Sequence, residues 1–423
     1  MKNILKTIIK ESQEQKLPEI QPRKLHIPLD IPLIVSLTGP RRSGKTYLLL
    51  SIIKELIEKG VSPRHILYIN FEDERLNLQT ADLDLILQSY YELYPDLNIA
   101  DCFFFFDEIQ NINGWEKFIR RLYDNLTKKI FITGSNAKLL STEIATSLRG
   151  RTITYTVLPL NLKEYLSFKN FDYSLYHSQK KAALINHTEQ FLKNGGFPAL
   201  VNFDNDTRLK TLQSYFNTMV YRDIIERYKV ADAVLLKFFI KKIYANMGKP
   251  LSVNKIYNDL RSMNYKVSNN YLYDFLKYCN TVFLSLAVPK FNFSEMKQEK
   301  SDKKVYSIDT GLLSSIEFSV SENKGKLFEN MVLLELIKSD CKVFYYKEKY
   351  ECDFIVEKDN KFLPVQVSYF MDNSKTKDRE MRGLAEACRV LNLKEGVVIT
   401  LDQKETYEYH DINIRVIPVY EYF

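Results

Sequence analysis

One stretch of the sequence decides the fold: residues 33–53 read LIVSLTGPRRSGKTYLLLSII. The run from Leu33 to Leu37 is apolar, which is typical of a buried strand, and an apolar-periodic helical pattern follows over about Lys45 to Lys59. Between the two lies a loop that contains glycines and ends in a lysine and a threonine. The order of strand, loop and helix predicts an α/β fold whose first helix begins at this loop.

The loop has the spacing G-x-x-x-x-G-K-T of a Walker A P-loop, in the strand–loop–helix context that this motif requires. Glycines permit backbone conformations that are closed to residues with a Cβ, so successive N–H groups can point at phosphate oxygens, and the helix N-terminus adds partial positive charge. The alternative, a glycine turn that precedes a helix by chance, is disfavoured because strand, spacing, lysine and threonine all agree. Lys45 is predicted to reach the β- and γ-phosphates of ATP, and Thr46 to offer its hydroxyl to Mg²⁺. The predicted nucleotide-binding residues are Gly39, Pro40, Arg41, Arg42, Ser43, Gly44, Lys45 and Thr46.

The composition bounds the class of protein. With 423 residues, 45% of them hydrophobic, the chain is too long for one ordinary core, and two to four domains are expected. We expect no membrane association and a cytoplasmic location, because no run approaches the roughly 18 apolar residues of a membrane span and the N-terminus lacks the features of a signal peptide. The five scattered cysteines predict neither a disulfide framework nor a zinc site. The net charge of +7 permits nucleic-acid binding without requiring it.

An aromatic run that ends in two carboxylates, CFFFFDE at residues 102–108, predicts a second part of the nucleotide site. A continuous apolar run is typical of a parallel strand buried on both faces. Because it follows the Walker A loop at the distance of an intervening strand and helix, its acidic end is the Walker B pattern. Asp107 is predicted to bind Mg²⁺ through water, and Glu108 to polarise the water that attacks the γ-phosphate.

Polar residues follow two further predicted strands. Glu72 and Asp73 follow the run His65 to Phe71, where they contact Mg²⁺ or, as we favour, form a solvated turn. Asn136 follows the run Lys129 to Thr133, and we expect it to orient the attacking water or to sense the γ-phosphate. The alternative for Asn136 is a Gly-Ser-Asn turn that caps the next helix.

Two arginines precede the last strand of the predicted sheet. Arg149 and Arg151 lie in the segment SLRGR, just before the strand Thr152 to Val157. Arginine at the edge of a phosphate site compensates charge in the transition state, either in cis or across a subunit contact in a homo-oligomer. A surface salt bridge would give the same pattern, so both interpretations stay open.

Taken together, these motifs resemble one group of AAA+ ATPases from bacteria and archaea, whose members carry a C-terminal domain of unknown function. The resemblance covers nearly the whole chain, and it implies binding of ATP and Mg²⁺, a parallel sheet and a helical lid at residues 159–230. The segments that carry it are GPRRSGKT (39–46), FEDERL (71–76), FFFFDEIQ (103–110), ITGSNAKLLS (132–141), LRGR (148–151), PLNLKEYL (159–166), GGFP (195–198), YRDI (221–224) and GKLFEN (325–330).

Residues 231–315 have the pattern of a winged helix: three helical segments, the third with Ser268 as N-cap, and then a two-stranded wing over Val282 to Ile308. The predicted wing tip, Lys297 to Lys304, carries four lysines against two acids, which would track phosphate weakly. Contact of this module with DNA and its use in internal packing or oligomer formation both remain open.

Residues 323–423 follow the order helix, hairpin, strand, helix and strand, which resembles a restriction-endonuclease-like α/β fold. Glu329 and Asp353 fall where that fold carries acidic residues, but Gln366 stands where a second strand acid is expected and Ser368 stands where the lysine is expected. A neutral amide is a poor ligand for a hard dication, and a serine lacks both the reach and the charge of a lysine. We therefore expect this domain to bind nucleic acid or a protein without cutting nucleic acid.

The sequence thus predicts an α/β chain with an N-terminal arm at residues 1–32, a P-loop core at 33–158, a lid at 159–230, a winged helix at 231–315 and an endonuclease-like domain at 323–423. The expected function is Mg²⁺-dependent ATP hydrolysis, coupled through the last two domains to DNA. One alternative is a nucleotide-regulated switch that binds a protein partner without DNA. Another is a nuclease coupled to ATP.

Overall fold

The computed structural model describes residues 1–135, 148–172, 178–316, 324–372 and 374–423. The chain divides into two compact units, residues 1–158 and residues 159–423. In the described ranges, no helix is long and apolar enough to cross a membrane.

The first unit is built on a parallel sheet of five strands with the order β2-β3-β4-β1-β5. The predicted P-loop fold is therefore confirmed. The strands are Ile34–Thr38 (β1), Ile66–Asn70 (β2), Phe103–Asp107 (β3), Ile130–Gly134 (β4) and Thr152–Thr156 (β5). The helices are Lys2–Glu14 (α1), Lys45–Glu58 (α2), Asp84–Leu93 (α3) and Trp115–Asn125 (α4).

The phenylalanine run forms the centre of this sheet. Alternate side chains of a strand point to opposite faces, so Phe104 and Phe106 pack in the core with α1, α3 and α4, whereas Phe103 and Phe105 pack in the other core with α2. The rings of Phe105 and Phe131 on the neighbouring strand stack with their centroids 4.8 Å apart. Burial on both faces is the reason that the run carries no alternation of polar residues.

The N-terminal segment differs from the expected arm. Helix α1 buries Leu5, Ile8 and Ile9 in the core of the first unit. The spacing i, i+3, i+4 puts these three side chains on one face of the helix, and the apolar area they remove from water holds the helix against the sheet.

The second unit begins with helices. These are Leu162–Phe168 (α5), Ser178–Asn194 (α6), Asn205–Thr218 (α7), a π-helix at Met219–Glu226 and Ala233–Ala245 (α8). The Gly195-Gly196 pair packs closely against two other segments of the second unit. A Cβ on Gly195 would lie 2.1 Å from Oδ1 of Asp309, and a Cβ on Gly196 would lie 2.3 Å from the carbonyl oxygen of Leu160. The carboxylate of Asp309 accepts a hydrogen bond from the Gly196 N–H at 2.6 Å. These contacts explain why both positions require glycine.

The region predicted as a winged helix contains three helices and a small antiparallel sheet with the order β6-β8-β7. Its elements are α8, Pro250–Leu251 (β6), Val253–Ser262 (α9), Asn269–Thr281 (α10), Leu286–Val288 (β7), Glu295–Lys300 (α11) and Lys303–Tyr306 (β8). The Ser268 side chain caps α10 by accepting from the Tyr271 N–H, as predicted. The predicted exposed wing tip is corrected in one respect: Lys304 is buried.

The last part of the chain forms a six-stranded mixed sheet with the order β13-β14-β12-β11-β10-β9. Strands β9, β10 and β11 are antiparallel, β11, β12 and β14 are parallel, and β13 closes the sheet as an antiparallel edge. The helices are Thr310–Ile316 (α12), Lys324–Lys338 (α13), Ser374–Val390 (α14) and Val419–Tyr422 (α15). The strands are Lys342–Lys347 (β9), Glu351–Lys358 (β10), Lys361–Val367 (β11), Glu395–Thr400 (β12), Glu405–Tyr409 (β13) and Ile412–Pro418 (β14).

Candidate functional site: the P-loop and the end of β3

The P-loop has a backbone that only glycine permits at its first position. A Cβ on Gly39 would lie 2.2 Å from the carbonyl oxygen of Val157 and 3.2 Å from Oγ of Ser43. Gly44, at φ 98°, lies in the left-handed region directly before α2. The start of the loop therefore packs tightly against the backbone of Val157, directly after β5.

Lys45 lies inside this loop rather than in solvent, with only 3% of its side chain exposed. Its ammonium donates to the carbonyl oxygens of Gly39 at 3.2 Å and Pro40 at 3.0 Å. It also lies 3.5 Å from Oε1 of Glu108. The lysine thus connects the two motifs that the sequence analysis placed in one site.

The carboxylate of Asp107, at the end of β3, is completely buried and has three side-chain donors. Its Oδ2 accepts hydrogen bonds from the Thr46 hydroxyl at 2.8 Å and the Tyr68 hydroxyl at 3.1 Å. Its Oδ1 accepts from the Thr133 hydroxyl. Burial raises the pKa of Asp107 above its usual value, and the Glu108 charge adds to the rise, although the Thr133, Thr46 and Tyr68 donors oppose it.

Glu108 has a left-handed backbone at φ 52°, and its N–H donates to the Thr133 hydroxyl at 2.8 Å. Its Oε2 accepts from the side-chain amide of Gln110 at 2.5 Å. Burial acts to raise the pKa of Glu108, but the Lys45 charge and the Gln110 hydrogen bond outweigh it, so this pKa lies below its usual value. Glu108 is therefore a carboxylate at neutral pH, which is the form that accepts a proton.

A second polar centre lies in the second unit, where Lys304 on β8 meets carboxylates from α13 and β10. The Lys304 ammonium lies 2.7 Å from Glu351, 3.2 Å from Glu329 and 3.6 Å from Asp353. Burial alone would lower the pKa of Lys304, but these carboxylates raise it well above its usual value. Burial and the Glu329 charge hold the pKa of Asp353 well above the usual range.

The amide of Gln366 completes this second centre. It donates to Oδ2 of Asp353 at 2.7 Å and also to Glu380, while its oxygen accepts from the Asp353 N–H at 3.1 Å. The Ser368 hydroxyl donates to the carbonyl oxygen of Phe370 at 2.9 Å. Ser368 is therefore engaged with backbone, and Lys304 supplies the ammonium that lies near Asp353, Glu329 and Glu351.

Comparison with known proteins gives the family. Family models match the chain in three consecutive parts: an AAA domain at residues 32–166, a domain of unknown function (DUF8612) at 185–323 and a domain of unknown function (DUF4143) at 324–422. An uncharacterized protein of Methanocaldococcus jannaschii is 38% identical over 388 residues, which cover 87% of this chain and 84% of that protein. The chain belongs to the AAA+ family that carries a C-terminal DUF4143 domain. The resemblance inferred from the sequence motifs is thereby confirmed.

Further similarities accompany this assignment. An uncharacterized protein of Haemophilus influenzae is 32% identical over 341 residues, which cover 80% of this chain and 83% of that protein. Among solved structures, AMPPCP-bound DnaA from Aquifex aeolicus covers 64% of this chain and 86% of its own, at 14% identity and a TM-score of 0.25. The family assignment of this AAA+ chain rests on the family models and the two sequence relatives.

The remaining predicted residues of the AAA domain differ in their surroundings. Arg151 forms an ion pair with Asp124 at 2.8 Å, which is the salt-bridge alternative, whereas Arg149 is exposed with a backbone φ of 53°. Asn136 lies outside the described residues. Glu72 accepts from Arg41 of the P-loop at 2.8 Å. The structure thus brings Lys45, Thr46, Asp107 and Glu108 together and leaves the role of the arginines as an expectation.

Sequence reasoning missed three polar side chains of the AAA domain: Tyr68, Thr133 and Gln110. Thr133 ends a strand beside the Walker B strand, so the rule that polar residues at the carboxyl ends of parallel strands share one edge would have found it. Tyr68 gave no such signal, because its role depends on the pairing of β2 with β3. Gln110 follows Glu108 within the quoted motif, but its direction is set by the turn after β3.

Proposed function

We propose that this chain binds Mg-ATP and hydrolyses it. The observation that carries this proposal is the connection of the two motifs in one site, where Lys45 lies 3.5 Å from Glu108 and the Thr46 hydroxyl lies 2.8 Å from Asp107. A lysine and glycine loop for phosphates, a hydroxyl and carboxylate for a metal, and an ionised glutamate for water are the parts that phosphoryl transfer to water requires.

The described residues fit both ATP and Mg²⁺. The buried Ser43 hydroxyl has no hydrogen-bond partner within the described residues, as expected of a donor in a loop that holds phosphate oxygens. A Cβ on Gly39 would clash with the carbonyl oxygen of Val157, so glycine at this position lets the loop keep this backbone path. Thr46 and Asp107 would hold Mg²⁺ from adjacent positions, and oxygen ligands of this kind suit that ion. When bound, Mg²⁺ neutralises charge on the phosphates.

The contacts of Lys45 give a reason why nucleotide binding would precede proton transfer to Glu108. In the structure, the ammonium of Lys45 lowers the pKa of Glu108 and thereby its basicity. The phosphates of ATP compete for the same ammonium, so nucleotide binding releases the Glu108 carboxylate. The released carboxylate is a stronger base, and it accepts the proton of the attacking water while Gln110 holds its other oxygen.

The first experiment is calorimetry with Mg-ATP. We expect wild-type protein to bind and Lys45→Ala to weaken binding by at least about tenfold, because a charge in contact with the phosphates is removed. Lys54→Ala is the matched control, since Lys54 lies on the same helix with 49% of its side chain exposed. Absence of binding by the wild type at millimolar nucleotide would contradict the proposed function.

We further propose that Arg149 acts in hydrolysis across a contact between two copies of the chain. Arg149 is exposed beside β5, whereas Arg151 is paired with Asp124. Turnover per subunit should then rise with protein concentration, and Arg149→Ala should remove that rise, while Arg151→Ala should keep it. Turnover per subunit that is constant at all concentrations would rule out this role.

For the second unit, we propose nucleic acid as the partner. The runner-up is a protein partner governed by bound nucleotide, and the burial of Lys304 favours it, because a lysine predicted to face phosphate instead holds an internal centre. The ATPase rate with and without DNA separates the two. Stimulation of the ATPase rate by DNA supports a nucleic-acid partner, and a rate that DNA does not change supports a protein partner.

We also propose that the DUF4143 domain does not cut nucleic acid. Within the described ranges, no group of three or more His, Cys, Asp or Glu side chains is placed to hold a metal ion. The carboxylates of Glu329, Glu351 and Asp353 instead converge on the Lys304 ammonium. Hydrolysis of a phosphodiester requires charge neutralisation and an aimed nucleophile, and an ammonium already bound by three carboxylates supplies neither.

A further inference from the structure

A cavity of about 340 Å³ lies in the DUF4143 domain between helix α14, the turn after β9 and the turn after β13. We propose that this cavity, the basic pocket, binds phosphate groups along a strand of nucleic acid. The inference deepens the proposed nucleic-acid partner by giving it a surface, and so it rests on that part of the proposed function. The basic pocket is defined by Lys349, Tyr350, Arg382, Glu386, Arg389 and His410.

The single carboxylate of the basic pocket is used to order its wall. Oε1 of Glu386 accepts from the Tyr346 hydroxyl at 3.0 Å and from the Lys349 N–H at 3.3 Å. Its Oε2 accepts from the Tyr350 N–H at 2.9 Å. Three donors thus share the charge of Glu386, and the turn that carries Lys349 is held in place.

The opposite wall is ordered by a second network. Asp378 accepts from the Tyr409 hydroxyl at 3.0 Å and forms an ion pair with Arg382 on the next turn of α14. The Arg382 guanidinium lies 5.9 Å from the centre of the Tyr350 ring. Helix α14, the β9 turn and the end of β13 are therefore tied together around the cavity.

Two cations of the basic pocket are without an acidic partner among the described residues. Lys349 and Arg389 are exposed, and neither forms an ion pair with any carboxylate in the part of the chain that the structure describes. Lys349 lies 5.4 Å from the Tyr350 ring, and His410 is exposed at the turn after β13. Cations that face a concave surface with ordered walls, and that have no counter-charge in the described ranges, favour an anionic ligand.

The row of cations is longer than one phosphate group needs. Arg382 and Arg389 are seven residues apart, which is about two helical turns, so they share one face of α14. At 1.5 Å per residue, these two positions are about 10 Å apart along the helix. A repeating polyanion such as a nucleic-acid strand matches such a row, whereas a free phosphate ion would occupy one end of it.

The test is fluorescence anisotropy of labelled single-stranded DNA and RNA with the full chain, without ATP, over a series of salt concentrations. The double variant Lys349→Ala/Arg389→Ala should weaken binding by at least about tenfold, because two phosphate contacts are lost. It should also lower the slope of log affinity against log salt by about 1.4, at about 0.7 for each contact to a single strand.

The matched control is Lys358→Ala/Lys361→Ala. These two exposed lysines of the same sheet lie at the far end of β10 from the pocket, so both the affinity and the salt slope should be kept. Circular dichroism melting shows whether each variant is folded, and only folded variants are compared.

Equal affinity of the double variant and the control would overturn the inference. So would binding that does not depend on salt, or binding of a phosphorylated peptide in the absence of oligonucleotide binding. Because the assay contains no ATP and leaves the P-loop unchanged, its failure would leave Mg-ATP binding and hydrolysis as they stand. Failure of calorimetry with Mg-ATP would, in turn, not affect the basic pocket.

Discussion

Glu108→Gln is expected to leave Mg-ATP binding intact and to lower turnover by about 10²- to 10⁴-fold, the range typical of a lost general base. The amide keeps the size of the side chain and its hydrogen-bonding oxygen, but it does not accept the proton of the attacking water. Asp107, Thr46 and the P-loop are unchanged, so the groups that we propose for holding nucleotide and metal remain.

Calorimetry and steady-state ATP turnover on the same preparation measure this effect. Glu74→Gln is the matched control, because Glu74 is an exposed carboxylate in the loop after β2. Strand β2 pairs with β3, the strand that ends in Asp107. The control should keep both binding and turnover. Wild-type turnover in Glu108→Gln would show that another group activates the water.

Lys304→Met is expected to lower the free energy of unfolding of the second unit by about 3–5 kcal/mol, because removing one partner of a buried ion pair leaves uncompensated charge. Only 1% of the Lys304 side chain is exposed, and three carboxylates surround its ammonium. Methionine is similar in length and apolar, so the loss comes from charge and hydrogen bonding more than from volume. Lys304→Met/Glu329→Gln should recover part of the stability, since one of the unpaired carboxylates becomes neutral while its side-chain oxygen can still accept from the Tyr306 hydroxyl.

Two spectroscopic signals distinguish the denaturant-induced unfolding of the two units. The single tryptophan, Trp115, lies in the first unit, so its fluorescence transition should stay in place, while the far-ultraviolet circular dichroism transition should move to lower denaturant. Lys303→Met is the control: Lys303 is paired with Glu299, 77% of whose side chain is exposed, and such pairs contribute about 0–1 kcal/mol. Equal effects of the two substitutions would contradict the role of Lys304.

The absence of nucleic-acid cleavage is tested with the wild-type chain and with Lys304→Met. Both proteins are incubated with single- and double-stranded DNA and RNA in Mg²⁺ and in Mn²⁺. We expect intact substrates in both cases, because Gln366 and Ser368 replace an acid and a lysine in either protein. Cleavage that disappears on Asp353→Ala would overturn the proposal.

Some features of the chain were decided by residues that are neighbours in the sequence. The P-loop is one segment, Gly39 to Thr46, so its chemistry and its place between strand and helix are visible in the sequence. The Phe103–Asp107 strand is likewise visible, because burial on both faces removes alternation and leaves one continuous apolar run. Parallel strands that end at one edge then predict that Asp107 and Glu108 meet the P-loop.

Other features depend on which strands are neighbours and on which side chains meet after packing. Tyr68 and Thr133 reach Asp107 only because β2 and β4 flank β3, and nothing local to either residue encodes that order. Lys304 looks like any lysine of a charged turn, yet the register of β8 turns it toward Glu329, Glu351 and Asp353. By itself, the sequence determined the nucleotide motifs and the parallel sheet, since periodicity and spacing are local properties. Only the tertiary structure decided where Lys304, Tyr68 and the cations of the basic pocket lie, because burial and charge pairing arise between segments distant in the chain.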